Sequence, residues 1–260
     1  MTLPVDHPMV CALLDNMERW RHFPSYQLER RADVLFSLYL VEIIERAFGN
    51  ESSPCAVNPI IIPEFPLRKL SIRGENNGDW DCQSIGNRSW KADYFLLSKD
   101  ARKAFLIELK TDMGSRNDVQ DDYLHQAQEA GIKNLVEGVL ALHNASAAKR
   151  KYRHLIEALV KLDLVTDNGE NNQSRGRAAD RFTANAKDCK VIVVYIQPKF
   201  QEEPCHENRY GDKKSIEGEN CRVIDFQTVA NVVRESKHYP SPRFADALIQ
   251  WAKLKAGEVT

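Results

Sequence analysis

RSWKADYFLLSKDARKAFLIELK, residues 88–110, holds two runs of aromatic and aliphatic residues on either side of a short polar connection, KDAR at 99–102. Runs of this kind favour extended backbone, and a four-residue polar link suits an antiparallel hairpin. The stretch therefore predicts adjacent antiparallel strands over 88–98 and 103–110. Successive side chains of a strand leave opposite faces, so Glu108 and Lys110 share one face with Ala104 and Leu106, and Phe105, Ile107 and Leu109 take the other. An acid and an amine on so apolar a strand demand an explanation, because a buried polar group is costly unless it is matched.

Upstream, NPIIIPEFPLRKL (58–70) is a β-branched run bounded by prolines, which predicts a short strand near a sheet edge. GENNGDWDCQSIGN (74–87) reads as a loop. Before them Leu28, Ala32, Leu35 and Tyr39 recur at helical spacing, so one helix is predicted from about Tyr26 to Phe48, with Ser25 as cap and Gly49 as stop. Downstream, TDMGSRND (111–118) is a loop and VQDDYLHQAQEAG a helix ending near Gly131, with two more helical segments continuing to about Val165. KVIVVYIQP (190–198) is the clearest buried strand, and CRVIDF then precedes helices near 227–236 and 242–255. The order predicts an α/β sandwich around a mixed sheet with an antiparallel meander. We expect one domain over 1–260, with polar insertions near 166–188 and 199–220.

The 36 Lys and Arg against 37 Asp and Glu give a formal charge of -1, so any affinity for nucleic acid must come from a local patch. No apolar run approaches the ~20 residues of a membrane span. Asp6, His7 and Asp15 interrupt the start where a signal peptide needs a basic and then apolar stretch, so a cytoplasmic protein is expected. Six cysteines without CxxC spacing predict reduced thiols, and Cys189, Cys205, His206 and Cys221 lack the spacing of a zinc site. Without GxxxxGK[ST], GxSxG, HExxH or GxGxxG, the chain carries no signal for NTPase, α/β-hydrolase, zincin or dinucleotide chemistry.

Pairing through KDAR puts Asp93, central in the first strand, beside Glu108. Two carboxylates this close repel unless a cation intervenes, and a hard cation such as magnesium takes oxygen ligands. Such an ion polarises a phosphoryl oxygen and activates water, and a lysine beside it positions that water or neutralises developing charge. The competing reading is an ordinary cross-strand salt bridge on a solvated sheet face, worth ~0–1 kcal/mol.

An acid on one strand followed on the next by acid, any residue, lysine resembles the motif of the PD-(D/E)xK nuclease superfamily, and KADYFLL…FLIELK carries the likeness. The resemblance covers roughly Tyr26 to Pro198 by order of elements. It implies a restriction-endonuclease-like fold, with Mg2+ as the usual metal, Mn2+ as a substitute, and nucleic acid as substrate, DNA favoured over RNA. Asp93 and Glu108 then ligate metal with the Leu109 carbonyl, and Lys110 stands by the attacking water. The family often adds an acid from the preceding helix, where Glu42 is the preferred match and Glu45 the alternative. A glutamine on the following helix matches Gln126, with Gln120 and Tyr123 as alternatives. Ala92 replaces the proline of the motif's name, and Ala130 stands where one subgroup has a tyrosine.

Ser115 and Arg116 in the loop after Lys110 suit a phosphate, though a plain Gly/Ser connection explains them as well. The basic run Lys149 to Arg153 heads an amphipathic helix and reads as a solvated face. Cutting a double strand would favour a homodimer with two sites. The alternative function is a module that keeps the fold and binds nucleic acid or protein without cutting.

Overall fold

The computed structural model describes residues 7–20, 28–50, 52–69, 71, 88–111, 118–169, 181–185, 187–198 and 221–253. The elements are α1 (Pro8–Trp20), α2 (Leu28–Ser37), α3 (Leu40–Phe48), β1 (Ile62–Arg68), β2 (Ser89–Leu97), β3 (Lys103–Leu109), α4 (Asp118–Ala145) and α5 (Lys149–Lys161). They continue as β4 (Val165–Asp167), β5 (Phe182–Ala184), β6 (Lys190–Gln197), β7 (Cys221–Asp225), α6 (Phe226–Glu235) and α7 (Pro242–Lys253). One five-stranded sheet has the order β1-β2-β3-β6-β7. β1 to β3 form an antiparallel meander. β6 runs with β3: the Lys190 N–H donates to the Arg102 carbonyl at one end and the Lys110 N–H to the Ile196 carbonyl at the other, each at 2.8 Å. The sheet is mixed and the chain is α/β.

The hairpin forms where its sequence places it, with Tyr94 opposite Ile107, Phe95 opposite Leu106 and Leu97 opposite Ala104. Ala101 turns the chain with φ 56°, and its N–H donates to the Ser98 carbonyl at 2.9 Å. Asp100 accepts from the Ser98 hydroxyl at 2.5 Å and from the Arg102 N–H at 3.1 Å. Those bonds, the hydroxyl's first, hold its carboxyl below the ordinary aspartate value. At the sheet edge β1 tolerates Pro63 and Pro66, because an edge strand need not donate on both sides.

One expectation is corrected. The single helix over 26–48 is two, α2 and α3, broken at Leu38 and Tyr39, where N–H groups reach back three residues to the Leu35 and Phe36 carbonyls. Tyr39 leaves helical geometry at ψ -6°, and its hydroxyl donates to the Tyr239 carbonyl at 2.7 Å, so a tertiary bond outweighs the helical pattern. The Ser25 cap lies outside the described residues, as do the loop at 74–87, most of the loop at 111–118 and the polar stretch 199–220. At the polar stretch 166–188 the chain pairs with itself as β4 and β5, Val165 opposite Ala184 and Asp167 opposite Phe182.

The chain divides into two compact units, 1–57 with 108–118 and 194–260, and 58–107 with 119–193. In the first, an aromatic cluster joins α2, α6 and α7: Phe36 lies 5.7 Å from Phe226 and 5.5 Å from Phe244, and Phe244 6.2 Å from Trp251. The Trp251 indole donates to Glu18 at 2.6 Å, tying in α1. In the second, α4 lies along the sheet, with Gln128 donating to the Val191 carbonyl at 3.1 Å and the Tyr123 hydroxyl to the Lys91 carbonyl at 3.1 Å. Gly131, at φ 75° and ψ 165°, bends α4 where the predicted helix ends. No helix among the described residues is long and apolar enough to cross a membrane.

Candidate active site

β3 is buried without a break from Ala104 to Leu109, and burial continues through Lys110. Glu108 is 2% exposed and Lys110 4%. Their shared face brings them together, the Lys110 ammonium donating to Glu108 Oε1 at 2.8 Å. Glu29, in the first turn of α2, stands 3.7 Å from the same ammonium. The solvated-face reading is thereby corrected, because these charges have left water. Desolvating each ion costs several kcal/mol, so the arrangement must be matched closely in geometry to persist. Two carboxylates face this ammonium, and carboxylate oxygens are donors that a hard cation accepts.

Glu29 was missed because the sequence reading sought the helix acid nearer the meander. Its signal is its place beside Leu28, one turn before Ala32, both buried in α2. Gln197 was missed as well. Because β3 and β6 are parallel and the Lys110 N–H reaches the Ile196 carbonyl, Gln197 is the cross-strand neighbour of Lys110 on the same face. Gln197 is 2% exposed, and its Nε2 has no acceptor among the described residues. An amide donor in that position is equipped to bind an oxyanion or a water. Its signal is a polar residue closing the apolar run VIVVYI (191–196).

Glu42 belongs to the first unit: its Oε1 accepts from the Ser236 hydroxyl at 2.9 Å, and Ser236 Oγ in turn accepts from the His238 and Tyr239 N–H groups. Glu45 is structural, accepting the Val57 N–H at 2.9 Å. Asp93 and Gln126 belong to the second unit. Asp93 is half-buried on β2, one residue before the Tyr94 to Ile107 pair. Gln126 sits on α4 with a buried Oε1 that meets no donor among the described residues. Tyr123 is stacked on Trp90 with centroids 4.9 Å apart, a packing role. The Leu109 side chain is buried at 1%. Ser115 and Arg116 lie outside the described residues.

The basic residues of α5 stand in water, with Arg153 and His154 both turned to Glu157, at 2.8 Å and 3.3 Å. Those partners hold the Glu157 carboxyl below its ordinary value, Arg153 foremost.

Among the described residues no group of three or more His, Cys, Asp or Glu side chains is placed to hold a metal ion. Magnesium does not require one, since it commonly takes one or two protein carboxylates and keeps several waters. The oxygen donors of Glu108 and Glu29 are of the hard kind it prefers. Comparisons of the chain with protein-family models, with curated proteins and with solved structures each find no match. The reading of this site rests on its own chemistry.

Proposed function

We propose that the protein is a magnesium-dependent nuclease of the PD-(D/E)xK superfamily with a restriction-endonuclease-like fold, acting on DNA in preference to RNA. The observation that carries this reading is the acid-x-lysine pair itself, closed to 2.8 Å and buried at the end of a strand whose antiparallel neighbour bears Asp93. The order of helix, antiparallel meander, helix and a further strand parallel to the third supports it.

In this reading Asp93 and Glu108, with the Leu109 carbonyl, would hold Mg2+ or Mn2+. Such an ion, when bound, polarises a phosphoryl oxygen and lowers the pKa of water. Lys110, its ammonium oriented by Glu108, positions the attacking water and offsets charge developing on the phosphoryl oxygens. Gln197 offers an amide N–H to the same region, and Glu29 balances the ammonium while the other carboxylate is engaged. Glu42 and Gln126 are the further acid and amide that the resemblance assigns to such a site. A cut through both strands of a duplex calls on a homodimer with two such sites.

One observation favours a second reading, a module that binds without cutting: Lys110 already neutralises Glu108, as a purely structural ion pair would. Metal linkage separates the two. Titrating magnesium or manganese into the wild-type protein is expected to raise its thermal midpoint, by the equivalent of ~2.7 kcal/mol once the ion is a hundredfold above its Kd. Asp93→Asn and Glu108→Gln are expected to abolish that rise. A wild-type midpoint indifferent to both ions would favour the non-catalytic module.

A further inference from the structure

The second unit concentrates cations where β1 and β2 end together. Arg68 is opposite Ser89, Leu67 opposite Trp90 and Pro66 opposite Lys91, and the Lys69 N–H donates to the Arg88 carbonyl at 3.2 Å. Lys69 and Arg88 oppose each other on the face that Trp90 takes, and Arg68 and Lys91 add two more cations within the same four residue pairs, on the other face, in a chain whose formal charge is -1. The acid paired with this group among the described contacts is Glu64, at 2.5 Å from the Lys91 ammonium.

An aromatic surface lies among them. The Trp90 indole is stacked on Tyr123, with planes 11° apart, and the Lys69 ammonium lies 4.3 Å from its ring centroid. With Tyr123 against one face, the ammonium covers the other, attracted by the negative face of the ring. Tyr123 is anchored in turn through its hydroxyl to the Lys91 carbonyl, so the stack is rigid from below. Arg68 packs against α4 at Gly138, where an added Cβ would come within 3.2 Å of the Arg68 Cβ and 2.9 Å of the Ser71 hydroxyl. Its Nε is buried and has no acceptor among the described residues.

We propose that this end of the β1–β2 pair binds single-stranded nucleic acid, with Trp90 as a base-stacking platform and Lys69 and Arg88 as phosphate contacts. The indole face under Lys69 takes a base, and the displaced ammonium moves to the adjoining phosphate. Bases in a duplex are already stacked on each other, so a platform of this kind favours single strands, while the cations supply a salt-sensitive attraction. The surface rests on the nucleic-acid reading above, and it does not depend on cutting.

The test is fluorescence anisotropy of a labelled oligothymidylate and of a duplex of equal length, with EDTA present so that no cleavage intervenes. Wild type should bind the single strand more tightly than the duplex. Lys69→Glu with Arg88→Glu should weaken single-strand binding at least ~tenfold and flatten the dependence of log affinity on log salt by about 0.7 per cation removed. Trp90→Leu should weaken it ~tenfold without changing that slope, and Trp90→Phe should restore it. Lys149→Glu with Arg150→Glu, on the solvated face of α5, should stay within about twofold of wild type. Unchanged affinity in the first double variant, an equal loss in the α5 variant, or tighter duplex binding would overturn the proposal, with circular dichroism verifying each fold. Intact binding of this pattern without any metal-dependent cutting removes the enzyme reading alone. Cutting that depends on Glu108, with binding untouched by the Lys69 and Arg88 reversals, removes this surface alone.

Discussion

Two ion pairs in this protein have the same length and opposite surroundings. Lys110 reaches Glu108 at 2.8 Å with side chains 5% and 3% exposed, and Arg153 reaches Glu157 at 2.8 Å with side chains 76% and 47% exposed. Around the α5 pair, water screens the attraction and competes for both partners, so the contact contributes little. On β3, both ions have lost water, and each makes the burial of the other less costly. Distance alone therefore says nothing about function. Burial separates an arrangement the fold retains at a cost from one that any amphipathic helix acquires on its wet face.

That contrast can be broken most easily at Lys110. Lys110→Ala should destabilise the protein by about 3–5 kcal/mol, because Glu108 would remain buried without that ammonium. Replacing both partners with apolar residues, as Glu108→Leu with Lys110→Met, should recover most of that loss in urea unfolding while leaving any activity abolished. Failure of the double variant to recover would mean that the pair is bound into further contacts that apolar packing cannot replace. The hairpin turn should give a smaller effect with a distinct pH signature. Asp100 is exposed, but its folded pKa is lowered by the Ser98 hydroxyl and the Arg102 N–H. A lowered carboxyl stabilises the fold above its unfolded value near 3.8 and loses that contribution as pH falls through the folded value. The stability difference between wild type and Asp100→Asn should therefore be present at neutral pH and shrink below that range. Smallest of all, Arg153→Ala should leave the thermal midpoint unchanged within error, and added salt should not alter that result. A clear loss there would erase the distinction between the pairs.

The hairpin was legible because both of its strands are strongly apolar and KDAR is a polar break of suitable length. Its turn type was less so, since the left-handed position is held by Ala101, not by the glycine or asparagine that usually announces it. The mixed sheet followed from the meander and from the apolar run of β6. The break between α2 and α3 was hidden, because Leu28, Ala32 and Tyr39 are buried as the helical pattern requires, and what interrupts the helix is a bond from Tyr39 to a residue two hundred positions away.

At the site, the sequence made Glu108 and Lys110 legible as a pair because a strand's alternation is local. Glu29 and Gln197 were not legible, because one depends on how α2 meets the end of β3 and the other on the parallel register of β6, neither of which local spacing encodes. Glu42 fits a helical ladder that the break at Tyr39 interrupts, and its carboxylate accepts the Ser236 hydroxyl. Spacing along one element predicts which side chains share a face; it does not predict which face of another element arrives opposite.

Whether Glu108 and Lys110 serve phosphodiester hydrolysis is decided by incubating labelled single- and double-stranded DNA and RNA with the protein in magnesium, manganese or EDTA, and comparing wild type with Asp93→Ala, Glu108→Gln and Lys110→Met. Wild type should cut with either metal and not in EDTA, and none of the three variants, each verified as folded, should cut. Absence of wild-type cutting on every substrate, or cutting that survives the loss of Glu108 and Lys110, would contradict that role.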